Sequence, residues 1–283
     1  MTTSIKNFME RFYMNKLLNS FLLTILLSSN SVLSDTNLIT VNGIKLDVRI
    51  KGQEYKIIEF ESGFGTDASV WNPITDKLSS DYKTIQYSRA ELGNSQKAEK
   101  LRTIDESVSD LKELLLALNL YSPVILVGHS FGSLLPTEVV QSFPEFINAL
   151  VLVDPDTTSQ RNAFKSVNVQ RVAKDDQLLL EYMPSNLQQR YQLLIKQLDK
   201  LQTKNVPTPS SIPVVLLTST KVYKQPFVFE ETPEGCKIWL HQHRALIEKP
   251  KRSAHIPLNK IGHNIHTDKP NLIIDAIGLS QSL

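Results

Sequence analysis

From residue 36 onward the apolar and polar positions fall into short runs whose period changes repeatedly. Residues 38–41 and 44–50 flank Asn42-Gly43, a dipeptide suited to a two-residue hairpin turn. Residues 56–61 and 83–87 are short β-rich runs. Over residues 107–120 the apolar side chains Val108, Leu111, Leu115 and Leu118 recur at helical spacing. Residues 124–127 are apolar without interruption, as a strand covered on both faces of a parallel sheet must be. A helix is predicted over 131–143 and another buried strand over 149–153, then strands over 213–217 and 254–258 and helices over 237–247 and 271–277. Strand and helix alternate from residue 83, so the fold class is α/β, with a mostly parallel sheet flanked by helices.

Between Pro155 and Ser211 the alternation stops. Leu187, Tyr191, Leu194, Ile195, Leu198 and Leu201 form an amphipathic stripe on a predicted helix, and residues 178–183 suggest a short second one. The stretch is too long for a simple loop. It predicts a helical insertion between two core strands, either a cap over the C-terminal ends of the strands or an extra packing layer. The expected organisation is a leader at 1–34, a first core part at 35–154, a helical cap at 155–211 and a second core part at 212–283.

Composition narrows the function classes. The chain has 283 residues, 41% hydrophobic and 21% charged, enough apolar side chain for one large core. Net charge is +2 and no basic run occurs, which argues against a nucleic-acid partner. The single cysteine, Cys236, forms no intramolecular disulfide and reads as a buried thiol at a helix start. Near the N-terminus, Lys16 precedes an apolar run over 17–27 and then small polar residues over 28–34. That order is the pattern of a secretory signal, and the run is short for a membrane span. Export to a periplasmic or extracellular space is expected, the alternative being an uncleaved N-terminal anchor.

The chemistry concentrates at Gly128-His129-Ser130-Phe131-Gly132, between the buried strand at 124–127 and the helix that follows. A serine in so tight a turn has strained backbone angles. Flanking glycines remove the clashes, and Oγ is left exposed at the sheet edge. The helix start supplies backbone N–H groups for a developing oxyanion. Ser130 is therefore the candidate nucleophile.

With these residues the chain resembles the α/β-hydrolase superfamily, from about residue 37 onward. Ser62-Gly63-Phe64-Gly65 resembles the family's oxyanion loop, and Tyr87-Ser88-Arg89-Ala90-Glu91-Leu92-Gly93-Asn94-Ser95 its "YDRxGxGxS" segment. The serine elbow and Gly262-His263 complete the likeness. Ser62 stands where many members have histidine, and Ser88 and Glu91 replace the usual aspartate and glycine. Pro136 lies inside the predicted helix after the nucleophile, where it is expected to kink it.

The resemblance implies the remaining roles. The base directly follows the last core strand, which points to His263, with His266 as alternative and more naturally an entrance or helix-capping residue. His129 is expected to turn away from Ser130, and His241 and His243, two apart on a helix, share no face for a metal. No carboxylate follows the strand after the insertion until Glu230. Asp154, at the end of the preceding strand, is thus the candidate acid, ahead of Asp156 and of Glu230 or Glu231; the bland alternative is a turn cap before Pro155. The oxyanion hole would comprise the backbone N–H groups of Phe64 and Phe131. No cofactor or metal is implied. The partner is a small-molecule acyl substrate, with esters foremost and thioesters, lactones and amides open. A carbon–carbon bond hydrolase, or a binding protein that has lost turnover, are the competing functions.

Overall fold

The computed structural model describes residues 36–53, 55–120, 122–201 and 208–283. The expected leader at 1–34 lies outside them.

The chain opens with an antiparallel hairpin of β1 (Thr36–Val41) and β2 (Ile44–Lys51). Asn42 and Gly43 both have positive φ, 47° and 78°, as the two-residue turn requires. β3 (Ile57–Glu61), helix α1 (Asn72–Leu78) and β4 (Lys83–Tyr87) follow. Helix α2 spans Ile104–Ala117, three residues earlier than the apolar spacing suggests. Thr103 and Glu106 form a reciprocal capping box that starts it there, and Asn119 leaves it at φ 47°.

β5 (Val124–His129) runs into a 3₁₀ turn, Ser130–Ser133, and then α3 (Leu134–Ser142). The single helix expected over 131–143 is thus divided. Pro136 falls in the first turn of α3, where backbone N–H groups have no partner to lose, and not in a helix interior that it would kink. β6 (Ile147–Val153) precedes two long helices, α4 (Gln160–Tyr182) and α5 (Ser185–Lys200). α4 is broken at Asn168 (φ −151°, ψ 83°), and of residues 178–183, expected as a separate short helix, 178–182 are its C-terminal end and Met183 its cap. From the stripe on α5, Leu187, Leu194 and Leu198 are buried; Leu201 lies past the helix end and is 40% exposed. β7 (Val214–Ser219), α6 (Pro233–Leu246), β8 (Ser253–Leu258), α7 (Ile265–Asp268) and α8 (Pro270–Ser282) complete the order.

The strands form an eight-stranded sheet in the order β1-β2-β4-β3-β5-β6-β7-β8. Every pair from β4 to β8 is parallel, and β2 meets β4 antiparallel. Alternate residues face opposite layers. Leu126 on β5 and Leu150 on β6 pack with α2 and α3, whereas Val127 and Val151 pack with α1 and α8. Both faces are covered, which accounts for the unbroken apolar runs.

α4 and α5 lie between β6 and β7 and form a layer of their own. Arg161 bridges Asp176 and Asp199, and the Tyr191 hydroxyl donates to Asp176 at 3.0 Å. Among the contacts that fasten α5 to the core are Arg190 to Glu91 at 3.0 Å and the Ile104 amide to the Gln197 side chain at 2.9 Å. Glu91 has φ +67°, the left-handed region that favours glycine, which is the residue the resembled segment usually has at this position.

Candidate active site

Ser130 stands at the C-terminal end of β5 with φ +52°, a left-handed conformation costing about 1–3 kcal/mol for a non-glycine residue. The turn closes only because its flanks lack side chains. A Cβ on Gly128 would lie 2.7 Å from the Ser133 Cα, and one on Gly132 would lie 2.3 Å from the Ser62 carbonyl oxygen. Gly132 therefore packs backbone to backbone against the loop carrying Phe64.

His263, in the loop after β8, reaches both other candidates. Its Nε2 is 2.9 Å from Ser130 Oγ and its Nδ1 is 2.7 Å from Asp154 Oδ2. Asp154 is 2% exposed and has φ +44° at the end of β6. Its second oxygen accepts from the Ser219 amide and from Trp239 Nε1, each at 2.8 Å. The carboxylate is thereby held by groups from β7 and α6 as well as by the imidazole. Trp239 was not legible as part of the site: on sequence it is one apolar position of a helix.

Electrostatics around His263 favour its charged form. Burial pushes the imidazole pKa down, but the Asp154 hydrogen bond and charge, with Glu230 and Asp156 behind them, raise it to about 9. The side chain keeps 36% of its surface accessible, so part of that carboxylate field acts through solvent. Both ring nitrogens are already engaged, hence Glu230 and Asp156 act through space. Asp156 accepts from Gln160 at 3.1 Å, and its amide donates to the Ser130 carbonyl. Burial, opposed by His263, raises the Glu230 carboxyl to about 7. Glu231 accepts from the Phe227 amide at 2.6 Å.

The other histidines are structural neighbours. His129 turns from Ser130 and donates through Nε2 to the His263 carbonyl at 3.0 Å. His266 departs from the expectation of an entrance or capping residue. It is 4% exposed, packed between Trp71 and His129 with ring centres at 4.9 and 4.1 Å, and burial lowers its pKa to about 3. His266 is the second residue of the short helix α7, on the side that helix buries. His243 and His255 both bond the Thr218 hydroxyl at 2.7 Å. Among the described residues no group of three His, Cys, Asp or Glu side chains is arranged to hold a metal ion. Cys236 is a buried thiol whose pKa burial raises to about 11.

Phe64 and Phe131 approach edge to face at 6.2 Å, and Tyr191 from α5 approaches Phe64 at 5.9 Å. Neither phenylalanine amide donates to a backbone carbonyl among the turn, loop and cap bonds of the described residues. Beside these rings a small cavity of about 50 Å³ is lined by Tyr87, Arg89, Leu92, Arg190 and Leu194.

Comparison with known proteins gives the family. Strigolactone esterase RMS3 of Pisum sativum is 29% identical over 111 residues, 38% of this chain and 41% of its own. An uncharacterized protein of Bacillus subtilis (strain 168), YqjL, is 26% identical over 230 residues, covering 80% of this chain and 84% of its own. Among solved structures, MGS-M2, an alpha/beta hydrolase enzyme from a Medee basin deep-sea metagenome library, superposes with a TM-score of 0.64 at 16% identity. That match covers 85% of this chain and 96% of the other. The profile of the alpha/beta hydrolase fold matches residues 58–208, more than half of the sequence, and the chain belongs to that family.

Proposed function

We propose that the protein is a serine hydrolase that cleaves a carboxylic ester through an acyl-enzyme on Ser130. The carrying observation is the continuous chain of hydrogen bonds from Ser130 Oγ through the imidazole of His263 to Asp154. In this reading His263 takes the serine proton through Nε2 as Oγ attacks the carbonyl carbon. Asp154 holds the tautomer with its proton on Nδ1 and stabilises the imidazolium. The amides of Phe64 and Phe131 receive the oxyanion, and the proton on Nε2 then passes to the leaving alkoxide. Water, deprotonated by the same imidazole, releases the acid and restores Ser130.

α4 and α5 serve as a cap. α5 rests on the oxyanion loop itself, since a Cβ on Gly65 would lie 2.7 Å from Leu187 Cδ1. The serine nucleophile weighs against epoxide or carbon–halogen chemistry, which on this scaffold begins with a carboxylate attacking to form an alkyl ester. The esterase likeness of RMS3 supports the ester reading in kind only.

The test is hydrolysis of p-nitrophenyl esters of graded acyl length by wild type, Ser130→Ala, His263→Ala and Asp154→Asn, with labelling by a serine-directed phosphonate. Losses of about 10³-fold or more in each variant, folding intact, are expected. A wild-type protein that neither turns over an ester nor takes the phosphonate is a binding protein, and the reading fails.

A further inference from the structure

The oxyanion loop is gripped from behind. Arg89, just after β4, has a side chain only 11% exposed. Its Nη1 donates to Glu61 Oε2 at 3.0 Å and to the Ser62 carbonyl at 2.6 Å, and Nη2 donates to the Gly63 carbonyl at 2.5 Å. Glu61 is fully buried, and its other oxygen accepts from the Tyr87 hydroxyl. The guanidinium carbon also lies 5.1 Å from the centre of the Phe131 ring. One cation therefore bonds the carbonyl of the peptide that carries the Phe64 N–H and lies over the ring of Phe131.

The Gly63 carbonyl and the Phe64 N–H belong to one planar trans peptide, so they point in opposite directions. A donor that pins the oxygen fixes the direction of the N–H. Glycine at 63 leaves that plane with the least intrinsic restraint, which makes an external clamp consequential. The Thr66 hydroxyl adds a neutral hydrogen bond to the same oxygen at 3.0 Å, but the fork of Arg89 is charged and spans two successive carbonyls. A cation on the carbonyl oxygen also polarises the peptide and strengthens its N–H as a donor.

We propose that Arg89, oriented by Glu61 and Tyr87, is a positioning residue that aims and polarises the Phe64 N–H toward the oxyanion. The proposal rests on the ester-hydrolase reading above. It assigns a use to the arginine of the Tyr87–Ser95 segment, and it gives the buried Glu61 and Tyr87 a task beyond packing.

The test compares wild type with Arg89→Lys, Arg89→Gln and the double variant Arg89→Gln/Glu61→Gln, the last leaving no stranded buried carboxylate. Thermal unfolding, kcat and KM on the best p-nitrophenyl ester, and Ki for a trifluoromethyl ketone of the same acyl length are measured. The ketone's hemiketal oxygen occupies the oxyanion position. Expected is a fall in kcat of about 10- to 100-fold with KM within about 3-fold, and a Ki that rises in step with the loss of kcat/KM. Arg89→Lys recovers only part, because an ammonium cannot span both carbonyls. Should Arg89→Gln fail to fold, Arg89→Lys and the double variant carry the same comparison. Folded variants with kcat and ketone affinity unchanged overturn the role of Arg89 alone, as does a Ki that follows KM instead of kcat/KM. A wild type that neither hydrolyses esters nor binds the ketone overturns the hydrolase reading and this role with it.

Discussion

Glu59 sits at the middle of β3, opposite Ile85 on β4 and Leu126 on β5, with no exposed surface. Neither carboxylate oxygen has a hydrogen-bond partner. Burial, reinforced by the charge of Glu61, raises its pKa well above the ordinary 4.5, and Arg89 offsets only part of this. Arg89 and Tyr87 bond the Glu61 carboxyl directly, which burial raises to about 7, whereas neither bonds Glu59, whose neutral, protonated form is favoured. The unfolded chain releases that proton near 4.5, so above this pH the folded state binds one proton more. Stability contributed by the neutral form is complete below 4.5 and drains away as pH rises toward the folded pKa. Between the unfolded and the folded value each pH unit removes about 1 kcal/mol of stability. Glu59→Gln keeps the shape and removes the titration. Urea unfolding of both proteins at several pH values, followed by circular dichroism, should show near-equal stability at the acid end and a widening advantage for the variant above it. Parallel curves would refute the reasoning, since they mean Glu59 ionises as readily folded as unfolded.

Two further outcomes follow from the site. With the His263 imidazole raised to about 9, kcat/KM should climb with pH through an apparent pKa above the ordinary 6.5, and Glu230→Gln should move that limb down. Initial rates across the range check this, and a wild-type limb at or below 6.5 contradicts it. Gly132→Ala would drive a Cβ to 2.3 Å from the Ser62 oxygen and 2.8 Å from that of Glu61, both unyielding backbone atoms. A loss of about 1–3 kcal/mol or more in stability, with activity reduced, is expected; a variant with wild-type Tm and rate would show that the elbow and oxyanion loop do not pack as described.

Much of the fold was legible because its signals are local. Continuous apolar runs mark strands covered on both faces, and Asn42-Gly43 marks its hairpin through backbone preference alone. Ser130 and Asp154 could be named because each follows a buried strand, and His263 because the family resemblance puts the base after the last strand; the structure brings their side chains together. What escaped was set by distant partners. The start of α2 depends on a Thr103–Glu106 exchange that apolar spacing does not register. α4 runs on to Tyr182, and its ion pairs join distant positions, Arg161 to Asp176 across the break at Asn168 and to Asp199 on α5. Glu59 is a polar residue inside the β-rich run 56–61, and only the covering layers reveal it as buried. Trp239 and Arg89 act on atoms far away in sequence, so no window along the chain contains both ends of their contacts.

The adjacency of β5 and β6 has a consequence during synthesis. Their register sets His129 against Val153, so Ser130 and Asp154 are brought near each other as soon as those two strands pair. The imidazole that joins them arrives 109 residues after Asp154. At typical translation rates that interval is about 5–20 s. When the two strands pair, the one histidine already made, His129, turns its ring away from the serine, and of those made before His263, His243 and His255 bond Thr218. On the proposed mechanism the growing chain therefore displays hydroxyl and carboxylate without the means to transfer a proton between substrate and serine. The nascent protein is chemically silent toward the acyl compounds around the ribosome until β8 has joined the edge of the sheet.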